Sequence, residues 1–128
     1  MYAAGAPHPN REPSLRLLER IARGALDAYV DAETLQEILH RYRAIGRWDE
    51  GRVVFDRARQ IVPNVAPITA EILDAARVLL DEDRVLMARD ALHAAVYRIT
   101  GATVLCSYDR DFDRIAGILR RNPQDLLG

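Results

Sequence analysis

Apolar residues recur at three- and four-residue intervals through most of this chain, so helices are expected to dominate it. Leu15, Leu18, Ile21 and Ala22 form a first stripe, with Ser14 placed to cap its helix and Gly24 to end it. The stretch before it, Ala6 to Pro13, reads as a proline-rich loop. Leu35, Ile38, Leu39 and Tyr42 form a second stripe, closed by Gly46. Val53, Val54, Phe55 and Ala58 mark a third helix over about Asp49 to Gln60, and Thr69 can cap a fourth through "AEILDAARVLL". A fifth lies in "RVLMARDALHAAVYRITG", with Ala88, Leu92, Ala95, Val96 and Ile99 at helical spacing and Gly101 as the stop. Three short segments read as strands instead: "ALDAYVDA", "IVPNVAPIT" with its helix-excluding prolines, and Thr103 to Cys106. A short final helix is expected around Phe112 to Arg120.

Helices alternating with short apolar strands define an α/β domain with a mostly parallel sheet and more helix than strand. The 128 residues suit one domain, residues 1–128, and no repeat or linker divides them. With 49% hydrophobic and 29% charged residues the chain reads as soluble and globular. No apolar run is long enough for a membrane span, and "MYAAGAPHPNRE" lacks the pattern of a signal peptide. One cysteine, Cys106, excludes an internal disulfide and suits a cytoplasmic protein; it reads as core rather than nucleophile. The net charge of −1 gives no general attraction to polyanions. All 18 cationic residues are arginine, which is read as codon bias before it is read as phosphate recognition.

The chemistry gathers near the last predicted strand. Open parallel sheets place ligands beyond the carboxyl ends of their strands, and Asp109 follows Cys106 closely, with Asp111 two residues on. Asp113 is expected in the first turn of the final helix, where a carboxylate suits the dipole. Glu37 and Asp90 interrupt apolar helical contexts, which is costly unless each pairs with an arginine or binds a cation. Taken alone, each is better read as a salt-bridge partner; converging, they would suit Mg²⁺ or Mn²⁺, which prefer oxygen donors. His8 and His40 read as surface residues.

The segments "QEILHRYR", "ARDALHAAVYRITGATVLCSYDRDFDRI" and "MYAAGAPHPNREPSLRLLERIARG" resemble the PIN domains of VapC-type toxins along nearly the whole chain. The most specific part is the helix Asp, the Gly-ended helix, the apolar strand and then "SYDRDF". The resemblance implies a three-layer α/β/α domain around a short parallel sheet and a metal-dependent endoribonuclease. It implies Glu37, Asp90 and Asp109 as catalytic acids, with Asp90, Asp109, Asp111 and Glu37 around Mg²⁺ or Mn²⁺. The metals would neutralise the phosphodiester and lower the pKa of a water. Ser107 stands where the family has a hydroxyl that orients an acid or contacts phosphate, and His93, one turn after Asp90, is expected beside the site. An RNA substrate, a cognate antitoxin and a homodimer are implied as partners.

Family members begin with a central strand ending in an Asp-x-Asn/Ser motif, and nothing from Met1 to Asn10 matches it. A start upstream of Met1, a true truncation and a degenerate relative each account for this; the first is favoured because Glu37, Asp90 and Asp109 all remain. For the chain as written, weak metal binding and low or absent activity are expected. The alternative function is a catalytically impaired module that holds RNA or protein through Arg41, Arg43 and Arg47. An acidic phosphotransfer pocket ranks third, lacking a recognisable phosphoacceptor context.

Overall fold

A computed structural model describes residues 8–127 of the chain. Five α-helices carry most of the described chain: α1 (Arg11–Ala22), α2 (Ala32–Ala44), α3 (Trp48–Ile61), α4 (Ala70–Glu82) and α5 (Ala88–Thr100). Four two-residue strands lie between and after them: β1 (Val30–Asp31), β2 (Val65–Ala66), β3 (Leu105–Cys106) and β4 (Arg120–Arg121). The helix-rich α/β class is as expected, and every pairing is parallel: Val30 opposite Val65 in β1–β2, Leu105 opposite Arg120 in β3–β4. Among the described residues these are two separate two-stranded ladders, with no pairing between β1 and β3. The expectation about Met1 to Asn10 lies, for residues 1–7, outside the described residues.

Several local expectations need correction. Helix α1 starts at Arg11 rather than after Ser14, because Pro13 suits a first turn, where its missing N–H has no partner to lose. Ser14 donates its hydroxyl to the Asn10 carbonyl instead of capping. The strand read in "ALDAYVDA" shortens to Val30–Asp31, because Asp31 caps α2 by accepting the Thr34 amide at 2.9 Å. Helix α5 starts only at Ala88, leaving Val85 and Met87 exposed, and Ile99 also faces solvent. The expected final helix is absent: a 3₁₀ turn (Arg110–Arg114) leads into β4, and a second (Pro123–Leu126) follows. The Leu105 and Ser107 amides donate to the Leu119 and Arg121 carbonyls, so the sheet ladder takes the backbone a helix would have used. Cys106 is exposed on β3 rather than in the core.

Two apolar clusters hold these elements. The larger packs α4 on α5 through Ile72, Ala76, Leu79, Ala91, Ala95 and Val96, and draws in Leu86, Phe112 and Ile115. Small residues on α5 let the helices approach: Ala91 and Ala94 are wholly buried. Thr69 caps α4 as expected, its Oγ1 accepting the Ile72 amide at 3.3 Å. The smaller cluster packs α2 on α3 through Leu35, Ile38 and Tyr42 against Val54, Phe55 and Ala58. Gly51 is buried there because a Cβ would stand 2.4 Å from Tyr42 Cβ. Gly101 ends α5 in the left-handed region at φ 73°, turning the chain into β3. That turn brings the loop after β3 back to the beginning of α5.

Candidate metal centre

Asp90 sits in the first turn of α5, and Asp109 and Asp111 follow β3. One carboxylate oxygen from each can be chosen so that all lie within 4.8 Å of one another. Asp90 is half-buried and the other two are exposed. The local chain builds this arrangement. Ser107 Oγ accepts the Asp109 amide at 3.0 Å, and Asp109 Oδ1 accepts the Asp111 amide at 2.9 Å, so the segment folds into consecutive tight turns. Phe112, between two acids, is buried and meets the His93 ring edge-on at 6.4 Å between centroids, which fastens the turn to α5.

Arg120 braces the same loop. Its guanidinium donates to both Asp113 oxygens (2.9 and 3.3 Å), to the Ser107 carbonyl (2.9 Å) and to Asn122 Oδ1 (2.7 Å). Asp113 is thus a structural anchor in the 3₁₀ turn, held below its ordinary pKa by Arg120. Arg114 likewise grips Asp83 through two hydrogen bonds of 3.0 and 2.9 Å, tying the turn to the end of α4. In contrast, among the described residues no ion pair involves Asp90, Asp109 or Asp111. Burial pushes the Asp90 carboxyl above its ordinary pKa, and the neighbouring charges of Asp109 and Asp111 push it the same way, against the weaker pull of His93 and Arg89. An all-oxygen donor set whose mutual repulsion is only partly offset fits a hard divalent cation, which would relieve that repulsion.

Glu37 lies elsewhere. Its Oε1 is 3.3 Å from His93 Nε2 and 3.5 Å from Arg89 Nε, so it meets residues flanking Asp90 on α5 but is outside the three-acid group. The other face of His93 meets an acid that sequence reasoning assigned no role: His93 Nδ1 is 2.5 Å from Asp31 Oδ2. Asp31 is buried, and its Oδ1 accepts both the amide and the hydroxyl of Thr34. Burial alone would raise the Asp31 carboxyl, but the hydrogen bond and charge of His93, with the Thr34 bonds, leave it below its ordinary value. Burial alone would lower His93, but Asp31 and then Glu37 outweigh it and leave the imidazole above its ordinary value. The available signal for Asp31 was its position directly before a helical stripe, where an acid caps. Cys106 is no nucleophile at neutral pH: although the residue reaches solvent, the atoms crowding its sulfur push the thiol up to about 11, with Asp125 adding to this.

Acids gathered beyond the carboxyl end of a parallel strand, on a helix-rich α/β frame, define the class of metal-dependent hydrolase sites built from carboxylates. Residues 1–118 match the PIN domain family. The chain is 43% identical over 120 residues to VapC ribonuclease Mb1869c of Mycobacterium bovis and to Ribonuclease VapC13 of Mycobacterium tuberculosis, covering 94% of this chain and 92% of each relative. Ribonuclease VapC23 of M. tuberculosis is 32% identical over 112 residues, 85% of this chain and 86% of that protein. No solved structure gives a significant match. The chain belongs to the PIN-domain family and, within it, to the VapC-type toxin ribonucleases.

Proposed function

We propose that this chain is a Mg²⁺- or Mn²⁺-dependent endoribonuclease acting as the toxin of a VapBC-type pair, with Asp90, Asp109 and Asp111 holding the cation. The observation that carries the site assignment is the gathering of these three acids at the end of β3, with no ion pair to any of them among the described residues. When bound, the cation would neutralise the phosphodiester and make water a better nucleophile. The protein's own contribution is placement. Asp90 is fixed by α5, Asp109 and Asp111 by the turns that Ser107 starts, and the loop is braced by Arg120. Glu37, with Asp90 and Asp109, is assigned a catalytic part at the rim of the site. The Arg89 guanidinium beside it carries positive charge next to Asp90, where an approaching phosphate needs it. An RNA substrate, an antitoxin partner, a homodimer and a cytoplasmic location complete the reading; among the described residues no helix is long and apolar enough to cross a membrane.

The test is cleavage of a structured RNA with Mn²⁺, with Mg²⁺ and with EDTA, using the chain and its Asp90→Asn plus Asp109→Asn variant. Cleavage that requires metal and is lost in the variant is the expected result. Equal cleavage by both proteins would sink the site assignment. One observation favours a second reading, a binding module with impaired catalysis: Glu37 is engaged by His93 and Arg89 rather than by the three-acid group. That reading expects RNA retention on a filter without cleavage under any of the three conditions.

A further inference from the structure

The two nitrogens of His93 face two different carboxylates, Asp31 on one side and Glu37 on the other. Ionised carboxylates only accept hydrogen bonds, so an imidazole between two of them donates from both nitrogens. The contacts are unequal, 2.5 Å to Asp31 and 3.3 Å to Glu37, so the ring is anchored by Asp31 and presented to Glu37. Asp31 is itself immobilised. Its side chain is 6% exposed, and its second oxygen is occupied by the amide and hydroxyl of Thr34 in the first turn of α2. The same carboxylate therefore starts the helix that carries Glu37 and orients the ring that receives Glu37. We propose that Asp31 is a positioning residue, which through His93 fixes the Glu37 carboxylate beside Arg89 and Asp90 at the rim of the acid cluster.

The geometry accounts for features that packing alone leaves unexplained. A buried acid is costly unless its oxygens are satisfied, and here three donors meet Asp31. Two of them serve the helix cap, which a serine would serve as well. The third reaches across to α5, 62 residues away in sequence. His93 lies one turn after Asp90 and Arg89 one residue before it, so Glu37 is held by groups bracketing Asp90 on one helix.

The relay itself is tested in the metal-free full chain at a fixed pH; its functional meaning rests on the nuclease reading given above. The Glu37 Cδ resonance is recorded by carbon-detected NMR in the wild type, Asp31→Asn, His93→Gln and the double variant. Asp31→Asn is expected to move the signal although Asp31 does not touch Glu37, and to move it no further once His93 is glutamine. An unmoved signal, or an equal movement in the His93→Gln background, overturns the proposal. Should Asp31→Asn fail to fold, Asp31→Ser keeps a capping oxygen and lacks the reach to His93, so the same comparison decides. Mn²⁺-dependent RNA cleavage by the same proteins supplies the second arm: Asp31→Asn is expected to lower kcat by roughly 10-fold or more and to lower it no further once His93 is glutamine. An unchanged rate in Asp31→Asn overturns the positioning role even if the signal moves. A wild type that cleaves no RNA with Mn²⁺ sinks the nuclease reading, and the relay is then decided by the Cδ signal alone.

Discussion

Replacing Asp109 by asparagine should raise the stability of the metal-free protein and abolish its response to divalent cations. Asparagine is nearly isosteric and keeps the Oδ1 that accepts the Asp111 amide at 2.9 Å, so the turn survives the change. What disappears is a charge. With carboxylate oxygens no more than 4.8 Å apart, each pair of charges in the cluster repels by about 1 kcal/mol at the dielectric of water. Asp109 takes part in two such pairs, and salt and exposure reduce their sum to roughly 1 kcal/mol or less. For a chain of this size that corresponds to a rise in Tm of up to about 4 °C. A cation at about 100 times its Kd would stabilise the wild type by roughly 2.7 kcal/mol, or on the order of 10 °C. Differential scanning calorimetry with EDTA and with Mn²⁺ reads both effects on one pair of proteins. A variant that melts no higher than wild type in EDTA would show that like-charge repulsion does not govern the stability of the metal-free site. A variant that keeps the full Mn²⁺ shift would place the cation elsewhere.

Three further outcomes follow from other parts of the molecule. Gly51→Ala should destabilise the fold by about 1 kcal/mol in urea titration, because the new Cβ meets Tyr42 Cβ at 2.4 Å and the overpacking outweighs a helix-propensity gain of about 1 kcal/mol; equal or greater stability refutes the close packing of α2 on α3. The stability lost in His93→Gln should be largest in an intermediate pH window. Asp31, depressed below 3.8, contributes fully above that pH and loses its contribution as pH falls, while His93, raised above 6.5, contributes fully below 6.5 and loses its contribution as pH rises through the raised value. A difference between His93→Gln and wild type that stays constant from acid to alkaline pH would contradict this. Asp113→Asn should lower Tm with the Mn²⁺ shift intact, whereas Asp111→Asn should remove the shift; identical behaviour of the two would contradict the division of roles.

The helices were legible because each carries its own stripe, and Thr69 and Gly101 act as caps within a few residues of sequence. The order of Asp90, Gly101, strand and Asp109 was also legible, and it located the three-acid group. The errors fall where the outcome depends on a distant partner. Residues 112–120 carry a helix-compatible composition, yet β3 claims Arg120 and Arg121 as ladder partners. Glu37 entered the expected ligand set through the family resemblance, and periodicity gives a face of a helix and not the neighbour it meets; here that carboxylate meets His93 and Arg89. Asp31 was passed over inside an apparent strand, because its second role requires a histidine from α5. Cys106 looked like core because it is apolar among apolar neighbours, and whether a strand face is covered is decided by its pairing.

The distribution of arginines gives the strongest physical reason to treat the three acids as a site. Arginine is abundant in this chain, and acids close to the cluster do find it: Asp83 is held by Arg114, Asp113 by Arg120, and Glu37 is within 3.5 Å of Arg89. Asp111 and Asp113 lie in the same 3₁₀ turn, two residues apart, yet among the described residues Asp113 makes an ion pair and Asp111 does not. Among these residues, ion pairing thus stops at the boundary of the cluster. The Asp109 carboxylate accepts the Asp111 amide, and the Asp109 amide donates to the Ser107 hydroxyl; these bonds shape the turn and bring no positive charge. A fold selected for stability alone would gain by pairing an arginine directly with Asp90, where burial and the like charges of Asp109 and Asp111 outweigh the pull of His93 and Arg89. Leaving that repulsion in place would be tolerable if, as proposed, a cation supplied from solution completes the site.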